Sequence, residues 1–289
     1  MNVNFLILIL TLAFNSILAG TTDSGMEKNK GTVFLQADGK TEACSLIDST
    51  GFNSSEVPEN FSDNHQGFRH ITQVFDQFLN KYVFAFHIHI NEDKDRDTGK
   101  TDRQRIEIKT DKNSPENMTG FEGDSHLYKW KFKIPSGVKA TKGFTHIHQL
   151  KAADGDDSMP LITVTLRKPS GYPECVEIIY VKPIETDPAQ KGNILASAPM
   201  TEFLDEWVEV SEQAVYVHSG FYKISIMRLR DKKILLHYTN ENLDLWRTGA
   251  SIIRPKYGIY RSIGKDGNLK PEMQNEIFYF ADFELTEKK

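Results

Sequence analysis

The chain has 289 residues, 39% of them hydrophobic and 26% charged, the make-up of a soluble globular protein and not of a disordered chain or a coiled coil. A net charge of -5 removes the broad basic field on which nucleic-acid binding depends, because phosphate affinity comes from Lys and Arg neutralisation. Length alone leaves one large all-β domain or two smaller domains open.

Residues 1–20 carry an uncharged apolar run that ends in the small residues Ala19 and Gly20, the pattern of a secretory signal peptide. No Lys or Arg precedes the run, so an uncleaved anchor is the competing reading. No later apolar run is long enough to span a bilayer. The expectation is a secreted or periplasmic protein, off the membrane once the signal is cleaved, with a monomer as the default state. Residues 21–67 are rich in Ser, Asn, Asp, Gly and Glu and read as an N-terminal tether with a first short strand over 32–35. Residues 68–289 form the main domain. Over 69–82, Ile71, Val74, Phe75, Phe78 and Leu79 recur at helical spacing and predict a helix. The next segment, 82–90, alternates Tyr82, Phe84, Phe86, Ile88 and Ile90 against a face holding His87 and His89. Turn-rich residues 91–99 lead into a strictly alternating strand over 103–109. Further strands are expected at 128–134, 145–151, 161–167, 175–181, 207–217, 222–229, 233–238, 256–262 and 276–285. Many strands, one short helix and no βαβ alternation predict an all-β sandwich, a β-jelly roll.

Three strands carry unusual polar faces. On 103–109, Arg103, Arg105, Glu107 and Lys109 share one side, because side chains alternate with period two. A solvated face laced with weak ion pairs is the bland alternative. On 145–151, His146 and His148 project together by the same count, as ordinary surface histidines or as part of a site. Zinc is considered and set aside, since two His at i, i+2 lack a third ligand unless His87 and His89 join them. On 254–261, Arg254, Lys256, Gly258 and Tyr260 share a face, and Gly258 either leaves room for a ligand or marks a bulge. Asp93, Asp95 and Asp97 alternate like a calcium loop but lack its Gly and Glu, so an EF-hand is excluded. A structural calcium at 91–99 or 154–157 stays open, and no other cofactor is required. Cys44 and Cys175 are a candidate disulfide, with two buried free thiols the alternative.

These three strands, in this order, resemble the β-jelly-roll polysaccharide lyases: the alginate lyases, glucuronan lyases, heparin lyase I and the jelly-roll ulvan lyases. The resemblance rests on Arg105-Ile-Glu107, His146-Ile-His148 and Lys256-Tyr-Gly-Ile-Tyr260, set beside the family's Arg-x-Glu, Gln-x-His and Lys-x-Gly-x-Tyr strands. The last is the closest match; in the middle one His146 stands where Gln is usual, and Gln149 follows the second His. The resemblance implies a concanavalin-like sandwich of two antiparallel sheets and an anionic polysaccharide substrate, cleaved by β-elimination at a uronate. It assigns catalysis to Tyr260, His148 and Arg105, and substrate binding to Arg103, Glu107, His146, Gln149, Lys151, Arg254 and Lys256. Elimination removes the carbon-5 proton, stabilises an enolate-like carboxylate and protonates the oxygen leaving carbon 4, so cations must face the carboxylate. Tyr260 serves if neighbouring cations lower its pKa; His148 is the alternative base. In glucuronate the proton and the leaving oxygen share a face, which suits one tyrosine as base and acid; iduronate and guluronate present them on opposite faces, which a two-residue division, His148 as base and Tyr260 as acid, fits better. The segment 244–262 resembles the glucuronan and ulvan side of the group more than the alginate side. A heparin- or alginate-type lyase, a non-catalytic carbohydrate-binding module, and a hydrolase pairing Glu107 with Glu177, Asp205 or Glu276 are the alternatives.

Overall fold

Strands that alternate large apolar with polar residues must cover their apolar faces, and two antiparallel sheets do this for each other. The computed structural model describes residues 31–96 and 99–288. The expected signal peptide over 1–20, residues 21–30 of the expected tether, and Asp97 lie outside the described residues. The eight-stranded back sheet runs in the order β13 (Ile234–Leu243), β12 (Gly220–Arg228), β11 (Trp207–Val215), β6 (Ser125–Lys133), β15 (Glu276–Lys288), β4 (Lys81–Ile88) and β3 (Ile71–Asp76), with β1 (Thr32–Leu35) also paired to β15. The seven-stranded front sheet runs β10 (Gly192–Pro199), β9 (Cys175–Val181), β8 (Ile162–Arg167), β7 (Thr145–Ala153), β14 (Ile252–Ser262), β5 (Arg103–Lys109) and β2 (Ser54–Glu56).

The core lies between the sheets. Phe84, Phe86, Trp130, Phe132, Phe278 and Phe280 enter from the back sheet, and Ile106, Ile108, Ile147, Leu150, Tyr257 and Ile259 from the front, none more than 1% exposed. Each such side chain contributes roughly 1.5–3 kcal/mol of burial. The fold is therefore an all-β jelly-roll sandwich.

The helix expected over 69–82 is not formed. Residues 71–88 make the β3–β4 hairpin, whose turn is fixed by Asp76 Oδ1 accepting from the Leu79 N–H at 2.9 Å and by Asn80 in the left-handed region at φ 52. Val74, Phe75, Phe78 and Tyr82 are 36–57% exposed, so the helical stripe has no core to face, and pairing with β4 prevails. The α-helix among the described residues is α1 (Ala43–Ser49), capped by the Glu42 carboxylate, which accepts from the Ser45 N–H at 2.8 Å. Strands β2 and β10, both at sheet edges, were not legible: one has three residues, and the other is rich in small ones. Residues 31–67 thus supply β1, α1 and β2.

The candidate disulfide is absent, and both cysteines are free. Cys44 sits on α1, which packs on β2 and β3, whereas Cys175 begins β9, five strand positions from β2. At about 4.8 Å per strand that is roughly 24 Å, far beyond disulfide reach. The Cys175 thiol instead faces the Arg167 carbonyl oxygen at 3.2 Å.

Candidate active-site cleft

The three motif strands are neighbours, with β14 between β7 and β5. Pairing registers turn their polar faces into cross-strand rows: His146 and Arg105 flank Tyr260, Gln149 and Lys109 flank Lys256, and Lys151 lies beside Arg254. The rows floor a cleft of about 500 Å³ bounded by Arg103 and Phe144.

The middle strand departs from strict alternation. Register shifts fall between His146 and His148 in β7 and between Tyr257 and Tyr260 in its partner β14. The extra residue turns both Ile147 and His148 into the core and returns Gln149 to the cleft. His148, expected as a catalytic base beside His146, is therefore fully buried between the sheets. Its Nε2 pairs with Glu212 of the back sheet at 2.7 Å, its Nδ1 with the Lys256 carbonyl at 2.9 Å, and its ring stacks on Tyr257 at 4.7 Å. Tyr222 donates to the other Glu212 oxygen at 2.8 Å. His148→Ala is expected to lower stability by about 3 kcal/mol or more, since it strands a buried carboxylate. Turnover per folded molecule should stay near that of the unaltered protein; a loss of roughly 100-fold without unfolding would restore His148 as the base.

Gly258 takes φ 136, and a Cβ there would lie 2.1 Å from the Ile106 carbonyl oxygen on β5. The glycine thus serves the close approach of two backbones, and the ligand space expected beside it is filled by β5.

Beneath the cleft lies an ion network. Glu56, on edge strand β2, is 2.7 Å from Lys256, Lys109 and Arg96 and 3.3 Å from Arg105. Glu107 lies 2.5 Å from Arg105, 2.7 Å from Lys256 and accepts from Gln149 at 2.5 Å, while Asp95 takes Arg105 Nε at 2.7 Å. Burial alone would raise the pKa of Glu56, but Lys256 and then Arg105 outweigh it and hold the carboxyl well below its ordinary value. Glu107 is lowered by the same two cations against the same burial. Arg105 is thus saturated by three carboxylates, with its guanidinium 3.6 Å from the centroid of the Tyr260 ring. It orients the phenol from below. Glu56 was not among the residues read from the sequence, since a three-residue strand carries no pattern that marks it, and Asp95, read there as part of a possible calcium turn, instead serves as a partner of Arg105.

The upper layer is open to ligand. Tyr260 Oη accepts from Arg103 Nη1 at 2.6 Å, and Arg103 is itself held by Asp102 at 2.7 and 2.9 Å. Burial raises the Tyr260 pKa above its ordinary value, outweighing Arg105 and Arg103, so the lowering expected from these cations is not the net result. His146 stacks on Phe144 at 4.5 Å and bonds Thr165 Oγ1 through Nδ1 at 2.8 Å. Burial pushes its pKa down to about 3, with Arg105, Lys256 and Arg103 adding to the shift, so the imidazole is neutral at ordinary pH. Burial and then Lys256 bring Lys151 down to about 7; among the described residues its Nζ donates to the backbone carbonyls of Asp157 and Ser158. Arg254 has no carboxylate at ion-pair distance among the described residues, and its Nε is buried without a hydrogen-bond partner.

No family model matches the chain, and no curated protein matches it in sequence. Solved structures match it in architecture. Endo-β-1,4-glucuronan lyase from the fungus Trichoderma reesei has a TM-score of 0.50 at 16% identity, covering 78% of this chain and 93% of its own. Alginate lyase Aly36B has a TM-score of 0.58 at 9% identity over 89% and 96% of the two chains. The fold is the jelly roll of these lyases. The marine alginate lyase from Aplysia kurodai shares this jelly roll at a TM-score of 0.53 and 12% identity, over 88% and 98%. Likeness at such identities fixes the architecture, and the chemistry must be argued from the cleft.

Proposed function

We propose that the protein is a secreted polysaccharide lyase that cleaves a uronate-containing anionic polysaccharide by β-elimination, with glucuronate-containing chains such as glucuronan or ulvan as substrate. The observation that carries this reading is the pairing of Tyr260 with His146. Because Arg103 can only donate to the phenol oxygen, the phenol's own hydrogen is directed elsewhere, as a proton donor requires. Beside it, with ring centroids 5.9 Å apart, His146 is a neutral base with Nε2 free of protein partners among the described residues. Arg254 offers positive charge to the uronate carboxylate, and Lys151, its pKa brought down to about 7, adds a hydrogen-bond donor beside it. In the proposed step His146 takes the carbon-5 proton, and the electron pair passes through the enolate-like carboxylate to form the carbon 4–carbon 5 double bond. The bond from carbon 4 to oxygen breaks as Tyr260 gives that oxygen its proton. No cofactor enters. The solved glucuronan and alginate lyases that share the fold support the reading.

His146 and Tyr260 rise as cross-strand neighbours from one sheet face, from which both can approach the same side of a sugar. That supports glucuronate, whose proton and leaving oxygen lie on the same side. A two-carboxylate hydrolase is disfavoured: Glu107 is neutralised in the network, and Glu177 on β9 lies four strand positions away, roughly 19 Å against the 5–9.5 Å such pairs need. Export rests on residues 1–20; no helix among the described residues is long and apolar enough to cross a membrane. The test is ultraviolet absorbance of the purified protein with glucuronan, ulvan, alginate and heparin in turn. A rise with glucuronan or ulvan is expected. Binding without a rise on any polymer would make the protein a non-catalytic module, and a rise confined to alginate or heparin would overturn the glucuronate assignment.

A further inference from the structure

Behind the edge of the cleft, the segments that lead into β3 and out of β4 and the turn that follows converge on one point. His65 and His70 come from the turn before β3, His89 follows β4, and Asp93 belongs to the next turn. One ligand atom from each of these four side chains lies within 4.8 Å of all the others. His65 Nδ1 and His70 Nε2 are 2.8 and 2.9 Å from Asp93 Oδ1, and His89 Nδ1 is 3.3 Å from Oδ2. The three imidazoles meet in T-shaped contacts, with centroids 5.0, 5.0 and 5.4 Å apart and planes 75–79° to one another. Rings packed merely for burial have no need to aim their nitrogens at a common point. His89 Nδ1 is also buried with no hydrogen-bond partner.

The surroundings match what a bound ion needs. His70 Nδ1, turned away from the convergence point, bonds Glu59 Oε2 at 2.6 Å, the carboxylate–imidazole arrangement that orients a metal-ligating histidine. Phe68 stacks on His65 at 5.5 Å and meets His70 and His89 edge-on at 5.0 and 4.6 Å, which walls one side of the cluster. Gln104 Nε2 donates to the carbonyls of His89, Ile90 and Asp93 at 2.7, 2.9 and 2.7 Å, so the backbone bearing two of the ligands is fixed to β5 before any ion arrives.

We propose that His65, His70, His89 and Asp93 bind one divalent transition-metal ion of the zinc class. Three imidazoles and one carboxylate suit zinc, whereas calcium needs six or more oxygens. Four protein ligands complete a tetrahedron, so the site is structural and clasps the 61–70 and 89–96 segments together. Two residues beyond Asp93, Asp95 holds Arg105 under Tyr260, and the ion thereby steadies the cleft edge. His89 thus belongs with His65 and His70 and not with His146 or His148, while His87 bonds Thr72 at 2.9 Å.

The test uses the full-length purified protein, stripped with a chelator and titrated with zinc chloride or cobalt chloride, and needs no lyase activity. One equivalent is expected to bind. Cobalt should give the intense visible bands of a tetrahedral site, and zinc at about a hundredfold excess over its dissociation constant should raise Tm by roughly 5 °C or more. His89→Ala and Asp93→Ala should weaken binding roughly 100-fold, and His237→Ala, at an exposed position on β13, should leave it unchanged. If either variant fails to fold, the cobalt spectrum of the unaltered protein still decides. Octahedral cobalt bands, no thermal shift, or equal affinity in folded His89→Ala would each overturn the site.

Discussion

Tyr260→Phe is expected to lower kcat on a glucuronate polymer by roughly 1,000-fold, within the range a positioned proton donor supplies. The substitution removes one oxygen and leaves the ring, so the Arg105 guanidinium keeps its stacking contact at 3.6 Å and Phe144 its neighbour at 5.1 Å. Arg103 loses an acceptor but stays held by Asp102. KM should change little, because the groups offered to the carboxylate are Arg254 and Lys151, which the substitution leaves in place. Initial rates of absorbance increase, read beside the denaturation midpoint, separate the outcomes. A loss in kcat with an unchanged midpoint supports the proton-donor role; a variant within tenfold of the unaltered rate refutes it. A binding module would show the same polymer affinity in both proteins and no product from either.

The residues of the cleft were legible where period-two alternation survives and illegible where it fails. Strands β5 and β14 alternate throughout, so counting by two places Arg103, Arg105 and Glu107 on one side, and Arg254, Lys256 and Tyr260 on one side, as the structure has them. In β7 the count fails after His146, because the bulge gives two successive residues to the core. Nothing in Thr-His-Ile-His-Gln marks where an extra residue is inserted; the bulge is set by pairing with β8 and β14, which are separate in the sequence. The same reasoning explains the hairpin at 71–88. Ile71, Val74, Phe75, Phe78 and Leu79 fit a helical face, but a helix needs a core opposite it, and only the assembled sheet determines that none exists there. Glu56 was missed for a third reason. A lone acid in Ser-Ser-Glu gains its importance from four cations on three other segments, all distant in sequence. The alternating faces thus reveal the cationic wall, while its buried counter-charges emerge only in the fold.

That counter-charge gives the largest expected effect on stability. Glu56→Ala should destabilise the protein by about 3–5 kcal/mol, the cost of leaving buried charges without a partner. Lys256 and Arg105 would retain Glu107, which sets the lower end, but Lys109 would lose the carboxylate it holds at 2.7 Å. The acid side of the stability profile should report the same network. Glu56 and Glu107 both have folded pKa values below their ordinary 4.5, so their contribution is complete above that pH and is lost as pH falls beneath it. Glu56→Gln keeps the shape, removes the titration, and should flatten that acid slope while lowering the midpoint at neutral pH. Denaturant midpoints from pH 3 to 7, measured on the unaltered protein and both variants, test this. A change under about 1 kcal/mol in Glu56→Ala at pH 7 would mean that water replaces the carboxylate, as at an exposed ion pair, and that β2 is not needed to hold Lys256 and Arg105 beneath the cleft.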